Sequence, residues 1–158
     1  MDPILAAKMI AIPSSILLGS YNFVYSQSVI PHLYDQPPAI STPLFAKFFN
    51  AGLTFIPKVA VPAIAAYGYV AYNSNDARKR NVYLTSAALM LGTLPLTQLV
   101  MMPGIRRLIE ISQNESLRMQ AGVNDEVVRL LKTWVSQNYF RASLHAVAGC
   151  LGLYAALH

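Results

Sequence analysis

The strongest constraint on this chain is where it carries no charge. From Met9 to Pro31, and again from Asn81 to Ile105, there is no charged side chain. Phe48 to Tyr72 contains only Lys58, and Val135 to Leu157 contains only Arg141. A helix needs about 20 mostly apolar residues to cross the hydrocarbon of a bilayer. Backbone in lipid must also satisfy its own hydrogen bonds, which leaves helices as the economical solution for such segments. The expected fold class is all-α: a four-helix transmembrane bundle, with spans near 5–30, 48–73, 81–105 and 135–157 forming one membrane domain over residues 1–158.

Composition supports a lipid-facing surface. Hydrophobic residues make up 54% of the chain and charged residues 12%, about half the charged fraction of a soluble globular domain. The net charge of +5 does not imply a nucleic-acid partner. The basic residues sit in short runs, Arg78 to Arg80 and Arg106 to Arg107, each beside a long uncharged stretch, as membrane-end anchors do. Cys150 is the single cysteine, so it can form no internal disulfide and defines no zinc site. The partner implied is the lipid bilayer, and the location an integral, multi-pass one. The host membrane, endoplasmic reticulum or vesicle, is left open.

The first apolar stretch is too long for the core of a signal peptide, is interrupted by Pro13, and follows the lead-in MDPILAAK, which carries an acid. It reads as a span. The segment PHLYDQPPAISTP, with prolines at 31, 37, 38 and 43, reads as a loop. Pro57 and Pro62 predict a kinked second helix, and Lys58 between them must snorkel, pair or face a cavity. Residues 106–132 are amphipathic at helical spacing and predict a long hairpin extending helices 3 and 4 beyond the membrane. Its turn is expected at 121–124, with Asn124 capping the acidic start Asp125-Glu126. Tyr72, Tyr83, Trp134, Tyr139 and Phe140 are placed as interfacial belts at the two ends of the bundle.

The last span carries the chemistry. At about 100° per residue, Trp134, Asn138, Arg141 and His145 fall within roughly a 60° arc of one helix. The same stripe continues through Ala148, Gly152 and Ala155 or Ala156, small residues that allow close helix packing. It therefore faces protein. An arginine at this depth needs a partner or a wet cavity; the bland alternatives are snorkelling or a pair with a carboxylate such as Asp35. Polar residues on the other helices favour a cavity: Asn22, Tyr25, Ser26 and Gln27 on the first, Asn50 and Lys58 on the second, Thr97 and Gln98 on the third. His32 and Asp35 lie in the proline-rich loop, where a solvated histidine is the plain reading. His32, His145 and His158 are scattered, so no metal site is expected. No phosphate loop, nucleotide fingerprint or Ser-His-Asp ordering is present.

The strings YLTSAALMLGTLPLTQLVMMPGIRRLIE and LLKTWVSQNYFRASLHAVAG resemble those of a small four-span membrane family that includes the fungal anthrone oxygenases. The matching residues are Pro95 with Thr97, Met102-Pro103, Leu108, and then Trp134, Asn138 and Arg141, with Gly19, Gly52 and Pro57 in the earlier helices. Ile105 departs from the pattern, standing where the family commonly has Asn.

The resemblance implies oxidation of an aromatic polyketide anthrone to an anthraquinone with molecular oxygen as co-substrate and no cofactor. It also implies biosynthetic enzymes as possible partners. On this reading Arg141 and Asn138 hold the developing oxyanion, and the geometry of the stripe, not the resemblance, adds His145 as base. Trp134, Tyr25, Asn22, Thr97 and Gln98 border the substrate, and no residue ligates a metal. The competing reading is a non-catalytic membrane carrier or scaffold for a biosynthetic pathway.

Overall fold

The computed structural model describes residues 2–158, and among these there is helix and no strand. α1 (Pro3–Val24) opens with Asp2, whose carboxylate accepts from the amide of Ile4 at 3.0 Å, and with Pro3 at a position that needs no donor. It continues without a break through a π turn (Tyr25–Val29) and a short 3-10 turn (Ile30–Leu33). α2 runs Pro38–Tyr72. α3 (Ala77–Pro95) is capped by Asp76, which accepts from the amide of Arg78 at 2.8 Å. It passes through a second π turn (Leu96–Met101) into α4 (Met102–Gln113). A single turn, α5 (Glu115–Arg118), precedes α6 (Val123–Leu157).

Among the described residues these segments make four rods long and apolar enough to cross a membrane: Pro3–Leu33, Pro38–Tyr72, Ala77–Gln113 and Val123–Leu157. α1 packs on α2, α2 on α3, α3 on α6 and α6 back on α1. The result is an up-down-up-down ring of the kind short connections produce. The hairpin expected over 106–132 is formed by α4, α5 and the first turns of α6. Arg107 pins it through a bidentate pair, Nε to Glu126 Oε1 at 2.8 Å and Nη2 to Oε2 at 3.2 Å.

Two local expectations are corrected. The proline-rich loop spans only residues 34–37, because Pro38 occupies the first helical position, where its missing N–H costs nothing. α2 itself runs as one helix with Pro43, Pro57 and Pro62 inside it. The last helix is capped not by Asn124 but by Gly122, whose φ of 79° is the left-handed conformation that favours glycine. The aromatic belt is also only partial. Tyr72 and Phe140 are exposed, but Tyr83 is buried against Tyr67 at a ring separation of 6.3 Å. Trp134 is buried edge-on to Phe45 at 5.5 Å. An amphipathic ring suits both a belt and a core, and here packing takes these two.

The small-residue face of α6 does what its spacing predicts. Gly152 lets Tyr67 of α2 cross the helix: a Cβ there would stand 2.6 Å from the Tyr67 oxygen. That hydroxyl donates to the carbonyl of Ala148 at 3.1 Å and accepts from Ser15 at 3.0 Å, tying α1, α2 and α6 together near one end of the ring. Ile105 is buried in the apolar cluster at the other end.

Candidate functional site

The α6 stripe is buried along its whole length, from Trp134 through Asn138, Arg141 and His145 to Ala155. Two neighbouring irregularities shape what it meets. In α1 the π turn after Val24 shifts the hydrogen-bond register close to Asn22. In the third rod Pro95 lacks an amide hydrogen, and the π turn after it does the same near Thr97.

Asn138 fits the first irregularity. Its Nδ2 donates to the carbonyl of Asn22 and to the Ser26 hydroxyl, both at 2.8 Å. Its Oδ1 is thereby turned toward Arg141, whose Nη2 donates to it at 2.6 Å. The same Nη2 donates to Asn22 Oδ1 at 2.8 Å. Nη1 donates to Thr97 Oγ1 at 3.3 Å, and that hydroxyl in turn donates to the Thr93 carbonyl at 2.8 Å. Three neutral oxygens thus hold the guanidinium, and it is 8% exposed. Among the described residues the ion pairs are those of Arg107 with Glu110 and Glu126. Arg141 therefore neither snorkels nor pairs with Asp35.

The charge borders a cavity of about 150 Å³ enclosed by α1, α2, the third rod and α6. Its walls are aromatic: Tyr21 and Tyr25 from α1 and the turn after it, Phe45, Phe48 and Phe49 from α2, and Trp134 from α6. Its polar edge is Asn22, Thr93, Thr97, Gln98 and Arg141. Two donors there have no protein acceptor, Trp134 Nε1 and Arg141 Nε. A buried donor left unpaired costs roughly 1–3 kcal/mol, a cost that a ligand oxygen would remove.

Six of the eight residues singled out from the sequence line this cavity: Asn22, Tyr25, Thr97, Gln98, Trp134 and Arg141. Asn138 does not; it stands behind Arg141 and fixes it. His145 does not line it either. It lies one turn beyond Arg141, fully buried, and neither ring nitrogen has a hydrogen-bond partner. Asn50 and Lys58, expected to face inward, are exposed. Sequence reasoning missed Phe45, Phe48, Phe49 and Gly52, although their i, i+3, i+4, i+7 spacing marks one helical face. It also missed Ser26 as the hydroxyl that orients Asn138. His32 and Asp35 take no part, and among the described residues no three His, Cys, Asp or Glu side chains converge.

The family model described as Anthrone oxygenase matches residues 45–151. An anthrone oxygenase of Aspergillus fumigatus is 26% identical, with the match covering 96% of this chain and 92% of that protein. An anthrone oxygenase of Claviceps purpurea is 24% identical, over 91% of this chain and 84% of its own length. No solved structure matches the chain.

Proposed function

Because the chain belongs to the anthrone oxygenase family, we propose that its cavity binds an anthrone-type polyketide and that the protein, embedded in a membrane, converts it to an anthraquinone with molecular oxygen and no cofactor. The observation that carries this reading is the guanidinium of Arg141, buried, without a carboxylate partner, at the edge of an aromatic-walled cavity. Such a site suits a flat apolar ring system that develops negative charge on one oxygen.

The chemistry asks little more. Loss of a proton from the doubly benzylic carbon of an anthrone gives an electron-rich anthrolate. One electron passes to oxygen, and recombination of the two radicals makes a C–O bond. The peroxide takes back a proton, and loss of water then leaves the second carbonyl. Anthrone and dioxygen thus give anthraquinone and water, with no external reductant. Arg141 and the Trp134 N–H stabilise the anthrolate oxygen, lowering the cost of the first step. Phe45, Phe48 and Tyr25 hold the rings. Asn138, Asn22 and Thr97 fix the guanidinium before substrate arrives, so none of its orientation is arranged at the moment of reaction. His145 has no contact with the ring-binding space, and we assign it to the interior behind Arg141 rather than to proton removal.

Feeding anthrones to membranes that contain the protein, followed by product analysis, tests the reading. Anthraquinone formed faster than in membranes lacking the protein supports it. Equal rates across a panel of anthrones would refute it.

A further inference from the structure

The cavity wall is not closed all round. Leu53 and Leu94 line it from α2 and α3, yet they are 47% and 53% exposed at the outer surface. Pro57 and Gln98, also lining residues, are exposed beside them. α2 packs against α3 on one side and α4 on the other, but leaves the π turn Leu96–Met101 between them without comparable packing. Pro95 and the altered register interrupt the regular ridges of the third rod just where α2 would have to interdigitate with them. The bundle therefore has a window in its side, framed by Leu53 and Pro57 on one helix and Leu94 and Gln98 on the other.

Its depth identifies what lies outside. Leu94 is near the middle of the uncharged stretch Asn81–Ile105. At 1.5 Å per residue it lies about 20 Å from Arg80 and about 18 Å from Arg106 along the rod, farther than the half-thickness of about 15 Å of a bilayer's hydrocarbon. With the rods across a membrane, the window opens onto acyl chains and not onto water. Size points the same way. An apolar cavity of about 150 Å³ accommodates a single benzene-sized ring, so a fused tricyclic ligand seated at Arg141 must extend into the window.

We propose that the ligand reaches Arg141 sideways, out of the bilayer interior, through the window between α2 and the third rod. This rests on reading the cavity as an anthrone site, and it adds the source and state of the substrate: a neutral polycyclic aromatic already dissolved in the membrane, arriving with its oxygenated edge first. The bilayer interior rejects a ligand that is ionised before it arrives, since charge in hydrocarbon is costly. Deprotonation accordingly follows binding.

Two single residues make the test direct. Trp134 is the chain's one tryptophan and lines the cavity, so its fluorescence reports occupancy. Cys150 is its one cysteine, and it is exposed. In a Cys150→Ser background, Leu94→Cys and Leu53→Cys are each reconstituted in lipid nanodiscs and labelled with a benzyl thiosulfonate. Quenching of Trp134 by a dihydroxyanthraquinone carried in the bilayer is then followed by stopped flow. Val61→Cys, at an outward position 64% exposed and away from the cavity, is the labelled control.

Obstruction of the window slows association by about tenfold, and binding weakens as well, because the bound ligand itself reaches into the window. Labelled Val61→Cys matches the parent, and each unlabelled leucine variant is the baseline for its own labelled form. Unaltered association after labelling at both Leu94→Cys and Leu53→Cys overturns the proposal, and so does weaker binding through faster dissociation alone. Absence of any quenching in the unlabelled parent overturns the anthrone reading as well, which separates the two failures.

Discussion

Arg141 and Asn22, 119 positions apart in the chain, meet through one hydrogen bond of 2.8 Å from guanidinium Nη2 to carboxamide Oδ1. The Asn22 amide is fixed in turn by its own bond to the Leu18 carbonyl at 2.8 Å, which leaves the oxygen facing α6. Every side-chain acceptor that Arg141 has is uncharged. Its positive charge is therefore positioned but not neutralised, and is available to an anion that forms in the cavity.

Asn138 acts through Arg141, so Asn138→Ala lowers kcat by roughly tenfold with a smaller change in KM, as expected for misplacement of a charge that matters in the transition state. It also removes bonds to Ser26 and Asn22 and lowers stability by about 1–3 kcal/mol. His145→Leu leaves kcat nearly unchanged. A loss of about 10²- to 10⁴-fold there would instead identify His145 as a general base. Steady-state oxidation of an anthrone and thermal unfolding in detergent read both variants.

Trp134→Phe keeps a ring against Phe45 and removes the one indole N–H. In the free protein that N–H has no acceptor, so its loss leaves thermal stability unchanged or slightly raised. Affinity for an anthraquinone falls, because the ligand oxygen loses a donor. A parallel drop in stability and affinity would mean that the ring, not its N–H, is what the cavity uses. Calorimetry and ligand titration separate the two.

Gly152→Ala places a methyl group 2.6 Å from the Tyr67 oxygen and 2.8 Å from its Cε1. Overpacking of this kind costs about 1–3 kcal/mol, measured as a lower Tm. Tyr67→Phe is destabilising by itself, since the Ala148 carbonyl loses a donor and Ser15 keeps only its bonds to the Ala11 carbonyl and the Met90 sulfur. Combined with Gly152→Ala it costs less than the sum of the two, because the closest clash is with the hydroxyl. Strict additivity would place the strain elsewhere.

The hairpin responds to acid through Glu126. The Arg107 hydrogen bonds hold its carboxyl below the ordinary value of 4.5. A carboxyl depressed in the folded state contributes stability that is complete above the unfolded value and is lost as pH falls through the lower, folded one. Docking of α4 on α6 therefore weakens only below about pH 4.5. The effect is modest, because the pair is solvent-screened. Glu126→Gln removes this pH dependence, which hydrogen exchange across Arg106–Lys132 would show.

The four rods and the inward stripe of α6 were legible in the sequence because lipid imposes a length and a composition, and a helix imposes a period. Asn22, Thr97 and Arg141 could be nominated in the same way. The helical period could not set the rotation of α2, a long rod apolar on most sides, so Asn50 and Lys58 were placed inward while the Phe45–Gly52 face was overlooked. Nor could it tell a proline that opens a helix, Pro38, from one in a loop. The π turns beside Asn22 and Thr97 leave no pattern in the residues apart from Pro95. Without them, the gap between a ligand-lining Arg141 and a buried His145 one turn away could not be drawn.

Oxygen uptake by the purified protein in nanodiscs, supplied with an anthrone and compared with Arg141→Ala, tests the central claim most directly. The account predicts one dioxygen consumed per anthrone at a rate well above the uncatalysed background. It predicts a loss of roughly 10²- to 10³-fold in kcat for Arg141→Ala, the usual cost of removing an oxyanion donor. Uptake at the background rate by the parent protein, or equal turnover by parent and variant, would contradict it.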